Sequence, residues 1–429
     1  MHPDLTLSHA QALDAADPLA SLREQFHLPC GIIYLDGNSL GASPKATAAR
    51  VAHTLSHEWA KDLIGSWNTA GWFDMPLSVG DKIARVIGAQ PGQVVAADTT
   101  SINLFKVLSA ALMLQREQAP QRTRIVSERH NFPTDLYIAQ GLCREHGFTL
   151  TLVDDGEVLP ALGDDVAVLM LTHVNYRTGA MHDMAKTTAA AHACGVLTVW
   201  DLAHSAGAVP VELLAHDADF AVGCGYKYLN GGPGAPAFAW VHPRHVDAVW
   251  QPLSGWWGHG APFAFSPDYA PAQGIARYQC GTQPMLSMVA LDEGINTFLK
   301  AQDWGGMAAL RAKSLAMTDL FMALVEPIAQ AHDLTIVTPK QHEQRGSQVS
   351  IAKDTGAYAI VQALIGRGVI GDFRAGDGSG RFGQDIMRFG FTPLYLRFED
   401  VWHAAQHLQA VMDSGEWQHA RFQQRGAVT

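Results

Sequence analysis

Residues 195–205 read "GVLTVWDLAHS" and residues 219–234 read "DFAVGCGYKYLNGGPG". Each stretch begins as a buried strand, and each runs out into polar groups. Asp201 ends the first strand, and His204 follows in the next turn. Lys227 sits in the glycine-flanked segment after the second strand. A carboxylate and an ammonium would thus close neighbouring strands, at the carboxyl edge where parallel sheets bind their ligands. Taken singly, Asp201 reads as a helix cap and Lys227 as a lysine that snorkels to solvent. Taken together they are the pair that pyridoxal phosphate (PLP) needs: its aldehyde forms a Schiff base with a lysine, and its pyridinium nitrogen requires a carboxylate partner. The glycines beside Lys227 would let backbone pass close to a flat cofactor.

Outward from this pair, "TRIVSE" (123–128), "FTLTLVD" (148–154) and "VAVLMLTHV" (166–174) read as further strands, with helices over 134–147 and 183–194. Continuous Val/Leu runs alternating with helices predict an α/β fold whose parallel sheet is covered on both faces. Helices over 8–24, 44–60, 76–88 and 102–118 precede this region. The first two are separated by a short strand and turn in "CGIIYLDGNSLGASPK". From about 305 the pattern changes. A long helix (307–326), short strands (334–337, 347–351), a helix (357–367), strands near 369–373 and 385–391 and a last helix (399–412) predict a separate α+β domain. The expected organisation is an N-terminal segment, 1–60, packing with the small domain, a large cofactor-binding domain, 61–304, and the small domain, 305–429.

A cofactor of this kind also needs an anion site. "AADTTSINLFKVL" places Thr99, Thr100 and Ser101 just before a helix, where hydroxyls and free N–H groups hold phosphate, although taken alone they read better as ordinary helix capping. In "RHNFPTDL", Phe132 is placed to stack on a pyridine face. Asp135 is either a second acid near the ring or the cap of the following helix. The formal GxGxxG at 378–383 leads into a strand-like stretch instead of a helix, so it reads as a mobile hairpin loop and not a dinucleotide site.

The bulk numbers exclude other classes. The 429 residues are 48% hydrophobic and 17% charged, which describes a folded soluble protein. The formal charge is 30 − 41 = −11, and no Lys/Arg cluster offsets it, which argues against nucleic-acid or anionic-membrane partners. No apolar run reaches about 18 residues, and the N-terminus shows no signal peptide. The five cysteines form no CxxC and read as free thiols of a cytoplasmic protein. No metal site is expected, and His53 and His57 read as surface histidines.

Several motifs together resemble the kynureninase family: "YLDGNSLG" (34–41), "NFPTD" (131–135), "WDLAHSAGAVP" (200–210), "GCGYKYLNGGPGAPAF" (223–238), "GWWGH" (255–259) and "MRFGFTPLY" (387–395). They span nearly the whole chain in order. The resemblance implies a fold-type I PLP enzyme related to class V aminotransferases. It would have a large domain with a mostly parallel seven-stranded sheet, a small α+β domain and a homodimer with shared active sites. It implies hydrolysis of L-kynurenine, or its 3-hydroxy form, to anthranilate (3-hydroxyanthranilate) and L-alanine in tryptophan catabolism. Lys227 would carry PLP, Asp201 would pair with its ring nitrogen, and His204 would lie beside it. Thr100 and Ser101 would bind the phosphate and Phe132 would stack on the ring, with Asp135 nearby. Tyr226 would donate to the phosphate and relay a proton. Trp256 and Thr282 would reach the cofactor phosphate of the second subunit. Arg388 would clamp the substrate carboxylate, with Arg374 as a second candidate beside the long glycine-rich segment 375–384. Trp67 and Ser39 would line the aryl-ketone side, and an aromatic at 67 resembles bacterial members that prefer kynurenine over its 3-hydroxy form. The alternatives are a class V aminotransferase or a cysteine desulfurase, the latter needing a mobile catalytic cysteine such as Cys224 or Cys280.

Overall fold

The largest sheet of the computed structural model is built from β1 (Val94–Ala97), β2 (Arg124–Glu128), β3 (Thr149–Val153), β4 (Val166–Thr172), β5 (Leu197–Asp201), β6 (Phe220–Gly223) and β7 (Ala237–Val241). Residues 5–376, 378 and 383–426 are described. The expected hairpin loop over the GxGxxG segment therefore lies mostly outside the described residues. The strand order is β1-β7-β6-β5-β4-β2-β3. All neighbours run parallel except β7, which is antiparallel to both β1 and β6. The sheet is thus seven-stranded and mostly parallel, as the resemblance implies.

Each of the five apolar runs read as strands from the sequence forms one. β4 shows why: all seven of its residues are buried, so both faces are covered and the strand needs no polar alternation. Such burial is worth about 1.5–3 kcal/mol per large side chain. The two strands that local patterns do not reveal are "VVAA" and "AFAWV". Alanine has little intrinsic strand preference, and the segments become strands by pairing, β7 with β6 and β1 with β7. Helices α1 (Thr100–Gln118), α2 (Pro133–His146) and α3 (Met184–Ala193) accompany the sheet. The core joins Leu104, Val107 and Leu108 of α1 to Ile125, Val199, Phe220 and Val222 of the strands.

The chain divides into two compact units. One comprises Ala46–Tyr176 and His182–Asn296 and holds this sheet. The other comprises Met1–Lys45, Arg177–Met181 and Thr297–Thr429, apart from the residues just excluded. The second unit contains a four-stranded antiparallel sheet built from β8 (Thr335–Ile336), β9 (Gln348–Lys353), β10 (Asp372–Arg374) and β11 (Asp385–Gly390), in the order β10-β11-β9-β8. The two-residue strands Ile33–Tyr34 and Val369–Ile370 pair in parallel beside it.

Two helices depart from expectation. The helix expected over 8–24 stops at Ala15 and resumes as a 3-10 turn, Ala20–Gln25. Pro18 disfavours helical backbone at the residue before it, and the Asp17 carboxylate accepts the Leu19 N–H instead (2.9 Å). The helix expected over 44–60 is α-helical only over Lys45–His53 and continues as a π-helix, Thr54–Asp62. There Glu58 turns inward to accept hydrogen bonds from Trp72 Nε1 (2.9 Å) and Arg50 Nη1 (2.7 Å). His53 and His57 are exposed and their rings stack. Among the described residues no helix is long and apolar enough to cross a membrane.

Candidate active site

The residues that converge in the large-sheet unit do so from the carboxyl ends of its strands. Thr172 ends β4 and Asp201 ends β5. Lys227 follows β6, which ends at Gly223. After β1, Asp98 turns the chain at a φ of 49°. Thr99 then caps α1, its Oγ1 accepting the Ile102 N–H at 3.3 Å. One cavity of about 140 Å³ is lined by Thr99, Thr100, Ser101, Phe132, Asp135, Asp201, His204, Tyr226 and Lys227. Thr134, Thr172, Tyr176 and Ala203 complete it.

The geometry decides several readings that the sequence left open. Lys227 does not reach for solvent: its Nζ lies 3.0 Å from His204 Nε2. The same Nζ stands 5.8 Å from the Phe132 ring centre and 5.7 Å from that of Tyr226. Asp201 caps no helix. Its Oδ1 accepts the Ala203 N–H (2.7 Å), and its side chain is hydrogen-bonded to Asp135. Asp135 is inside the first turn of α2, which Phe132 precedes, so it is a second acid at the site and not the cap. Phe132 keeps 40% of its surface exposed and leaves a ring face open, with Tyr176 packed edge-on at 5.3 Å.

Two buried carboxyls in contact cannot both ionise without cost. Burial, and then the charge of Asp201, push the Asp135 carboxyl well above the usual carboxylate range. Burial also raises Asp201, against the pull of the Lys227 ammonium and the Ala203 N–H. Asp135 Oδ2 is buried with no hydrogen-bond partner among the described residues. The pair therefore has capacity for one more cationic or donor group.

The glycines around Lys227 serve a different purpose from the one expected. A Cβ on Gly223 would meet the Phe238 ring at 2.4 Å, and one on Gly225 would meet the Pro236 carbonyl oxygen at 2.3 Å. They admit close protein packing under the lysine segment. Cys224 is buried, its thiol raised by burial, and its Sγ faces the Ala203 carbonyl at 3.8 Å. It is a core thiol.

Trp256 and Thr282 do not line this cavity in their own chain. Trp256 is 42% exposed and packs on Trp257, and Thr282 is exposed. Trp67 packs edge-on against Trp72 and Trp257, at 5.5 and 5.1 Å.

In the other unit, Arg388, Arg374 and Ser39 gather on Asp372, which the sequence reading missed. Arg388 is 1% exposed and donates from Nε and Nη2 to the two Asp372 oxygens, a forked ion pair. Its Nη2 also donates to Ser39 Oγ at 2.7 Å. Ser39 Oγ donates to Asp372 Oδ2 (2.6 Å), and Arg374 Nη2 lies 2.8 Å from the same oxygen. Arg388 is directly opposite Asp372 on β10 and Ser350 on β9, so the glycine-rich segment does not shift it off register. Asp36, of "YLDGNSLG", is pushed up to about 7 by burial and by the charge of Asp372.

An acid pair with spare capacity, a lysine, an open aromatic face and an anion-binding helix terminus form the donor set that PLP requires. The fold agrees. The chain superposes on a cysteine desulfurase from Thermococcus onnurineus NA1 with a TM-score of 0.76 at 18% identity, over 92% of this chain and 98% of that one. It superposes on the Escherichia coli cysteine desulfurase CsdA with a TM-score of 0.74 at 18% identity, over 92% and 98%. It thus shares the fold of these enzymes.

The sequence comparisons narrow the class. The chain is 56% identical to the kynureninase of Pseudomonas fluorescens and to that of Burkholderia pseudomallei, in each case over 99% of this chain and the whole of the relative. Residues 310–408 match the family model of the kynureninase C-terminal domain. The chain belongs to the kynureninase family. It is a hydrolase of carbon–carbon bonds that uses PLP, and the desulfurase and aminotransferase alternatives are not favoured.

Proposed function

We propose that the chain hydrolyses the Cβ–Cγ bond of L-kynurenine to anthranilate and L-alanine, a step of tryptophan catabolism, and that it does so in the cavity around Lys227. The observation that carries this reading is the convergence of Lys227, His204, Asp201 and Asp135 at one strand edge, in a chain of this family. PLP, when bound, supplies the electron sink that makes the substrate's α-proton acidic and the Cβ–Cγ bond labile. Lys227 would hold the cofactor, and its Nζ would take the substrate's α-proton. Asp201 would pair with the ring nitrogen, with Asp135 and His204 beside it. Thr100 and Ser101 would hold the phosphate at the start of α1, Phe132 would stack on the ring, and Tyr226 would donate to the phosphate and relay a proton.

Arg388 binds the substrate carboxylate, with Arg374 as second candidate, and their shared hold on Asp372 supports a pre-set guanidinium. Trp67 and Ser39 line the aryl-ketone side. The chain works as a cytoplasmic homodimer in which Trp256 and Thr282 reach the partner subunit's cofactor phosphate. Their position outside their own chain's cavity supports this. The domains are 61–304 for the cofactor and 305–429 for the small α+β domain, with 1–60 joining the latter. The grouping of Met1–Lys45 with Thr297–Thr429 in one unit supports the last point for residues 1–45, whereas 46–60 fall in the unit that holds the large sheet.

The test is purified protein given PLP and L-kynurenine, with anthranilate followed by its fluorescence. Anthranilate and alanine should appear in equal amounts. Lys227→Ala should abolish the visible absorbance of the lysine-bound cofactor and lower turnover about 10⁴-fold. Bound cofactor without anthranilate overturns the reading.

A further inference from the structure

The cavity does not use the most deeply buried ammonium of its unit. Lys106, on α1, is 0% exposed. Its Nζ donates to Asp98 Oδ2 (2.5 Å) and to the Tyr278 carbonyl oxygen (2.5 Å), and its charge acts on the Cys280 thiol. Burying an ammonium costs far more than burying a methionine or leucine of similar size. Core packing alone therefore gives no reason for a lysine here.

The partners suggest the reason. Asp98 is the residue immediately before the Thr99–Ser101 cup, and its φ of 49° is a conformation that costs a non-glycine residue energy unless its surroundings hold it. Three contacts hold it. Lys106 takes its carboxylate, Gln283 Oε1 accepts its N–H (3.1 Å), and its carbonyl accepts the Ala237 N–H (2.9 Å). Lys106 and Gln283 belong to one further arrangement, because Tyr278, Cys280 and Gln283 bracket Thr282. The Cys280 carbonyl in turn accepts the Trp257 N–H (3.1 Å), next to Trp256.

We propose that Lys106 is a positioning residue for the cofactor phosphate. It fixes the Asp98 turn so that the N–H and hydroxyl groups of Thr99–Ser101 stay aimed at their own site. Through Tyr278 and Cys280 it also fixes the segment that carries Thr282 toward the partner's site. This rests on the assignment of Thr100 and Ser101 to the phosphate and of Trp256 and Thr282 to the second subunit. One buried ammonium then sets the phosphate contacts of two cofactors.

Lys106→Met keeps length and removes charge. PLP titration of the variant, read by the visible absorbance of the lysine-bound cofactor well below its melting temperature, should show about tenfold weaker binding, the effect of losing one charge-assisted contact. Asp98→Asn, whose side chain tolerates the left-handed turn, should weaken PLP binding in the same direction and serves if Lys106→Met does not fold. Wild-type PLP affinity together with a lowered melting temperature would make Lys106 a plain core ion pair and overturn the proposal.

A mixed dimer tests the reach to the partner. One subunit carries Lys227→Ala with Lys106→Met, so only the other, unaltered subunit can bind PLP covalently. Its PLP affinity should fall. The same design with Trp256→Ala in place of Lys106→Met reports on the shared site itself. If Trp256→Ala weakens the neighbouring site and Lys106→Met does not, the action across the dimer is wrong. If Trp256→Ala is silent, the shared-site assignment is what fails, and the PLP titration of the Lys106→Met homodimer still decides the action of Lys106 on its own cup.

Discussion

Asp201 and Asp219 are two buried carboxylates of neighbouring strands, at opposite ends of one sheet, and they are treated in opposite ways. Asp219 enters β6 and is 1% exposed. It accepts hydrogen bonds from His192 Nε2 (2.8 Å), Arg244 Nη2 (2.6 Å), His245 Nε2 (2.8 Å) and both the N–H (2.8 Å) and hydroxyl (3.1 Å) of Thr198. Burial pushes its carboxyl up, but these bonds outweigh burial and hold it far below the usual range. Asp201 leaves β5 and has one backbone donor, a second acid and a lysine beside it, so burial wins and its carboxyl is raised. A saturated buried carboxylate locks strands together. An undersupplied one keeps binding capacity for a group the chain does not itself provide.

Substitutions at the two sites should separate these roles. Asp201→Asn should lower turnover about 10²- to 10³-fold, the usual size of a lost charge partner in a reacting site. Its melting temperature should stay level or rise, because a poorly paired buried charge has gone. Unfolding at a lower temperature would place Asp201 in the same structural role as Asp219.

Asp219→Ala should do the reverse. Leaving His192, Arg244 and His245 without their shared partner should cost about 3–5 kcal/mol in urea unfolding. Turnover per folded molecule should stay within about twofold of wild type. A large loss of turnover in fully folded protein would break the division between the two ends of the sheet.

The smallest effect is a pH dependence confined to the Asp219 end. Hydrogen bonding to Asp219 raises the His192 pKa. Its contribution to stability is therefore complete below the unfolded value of about 6.5 and is lost as pH rises through the folded value. Asp219 is held low, so its contribution is present above about 3.9 and is lost only as pH falls toward its folded value. The stability gap between wild type and Asp219→Ala should be widest between about pH 4 and 6.5 and should narrow above neutrality. Urea midpoints at pH 5.5 and 8.5 measure it, and a gap that widens with pH would remove His192 from the network.

Much of the candidate site was legible because strand endings are local signals. Asp201, His204 and Lys227 follow apolar runs that can only be strands, and Thr99–Ser101 precede a helix. Thr172 ends "VAVLMLT" in the same way and was available to that logic. Tyr176 and Thr134 carried no such signal. Nor did Lys106, which on periodicity alone is one polar residue of a helix. The two helix errors were of another kind. Pro18 was a visible breaker, whereas the π-turn at 54–62 depends on Glu58 finding Trp72 and Arg50.

By itself, then, the sequence determined the alternation of strands and helices, the chemistry at the strand ends and, through motifs spread over the chain, the family. Those features depend on local burial and on residue identity. Tertiary structure alone decided that Asp135 and Asp201 share a site, that Asp372 holds Arg388, that Lys106 reaches back to Asp98, and that two alanine-rich segments complete the sheet. Each of these depends on which distant segments become neighbours. That is set by the strand order and by the cost of leaving a buried charge or backbone group unpaired.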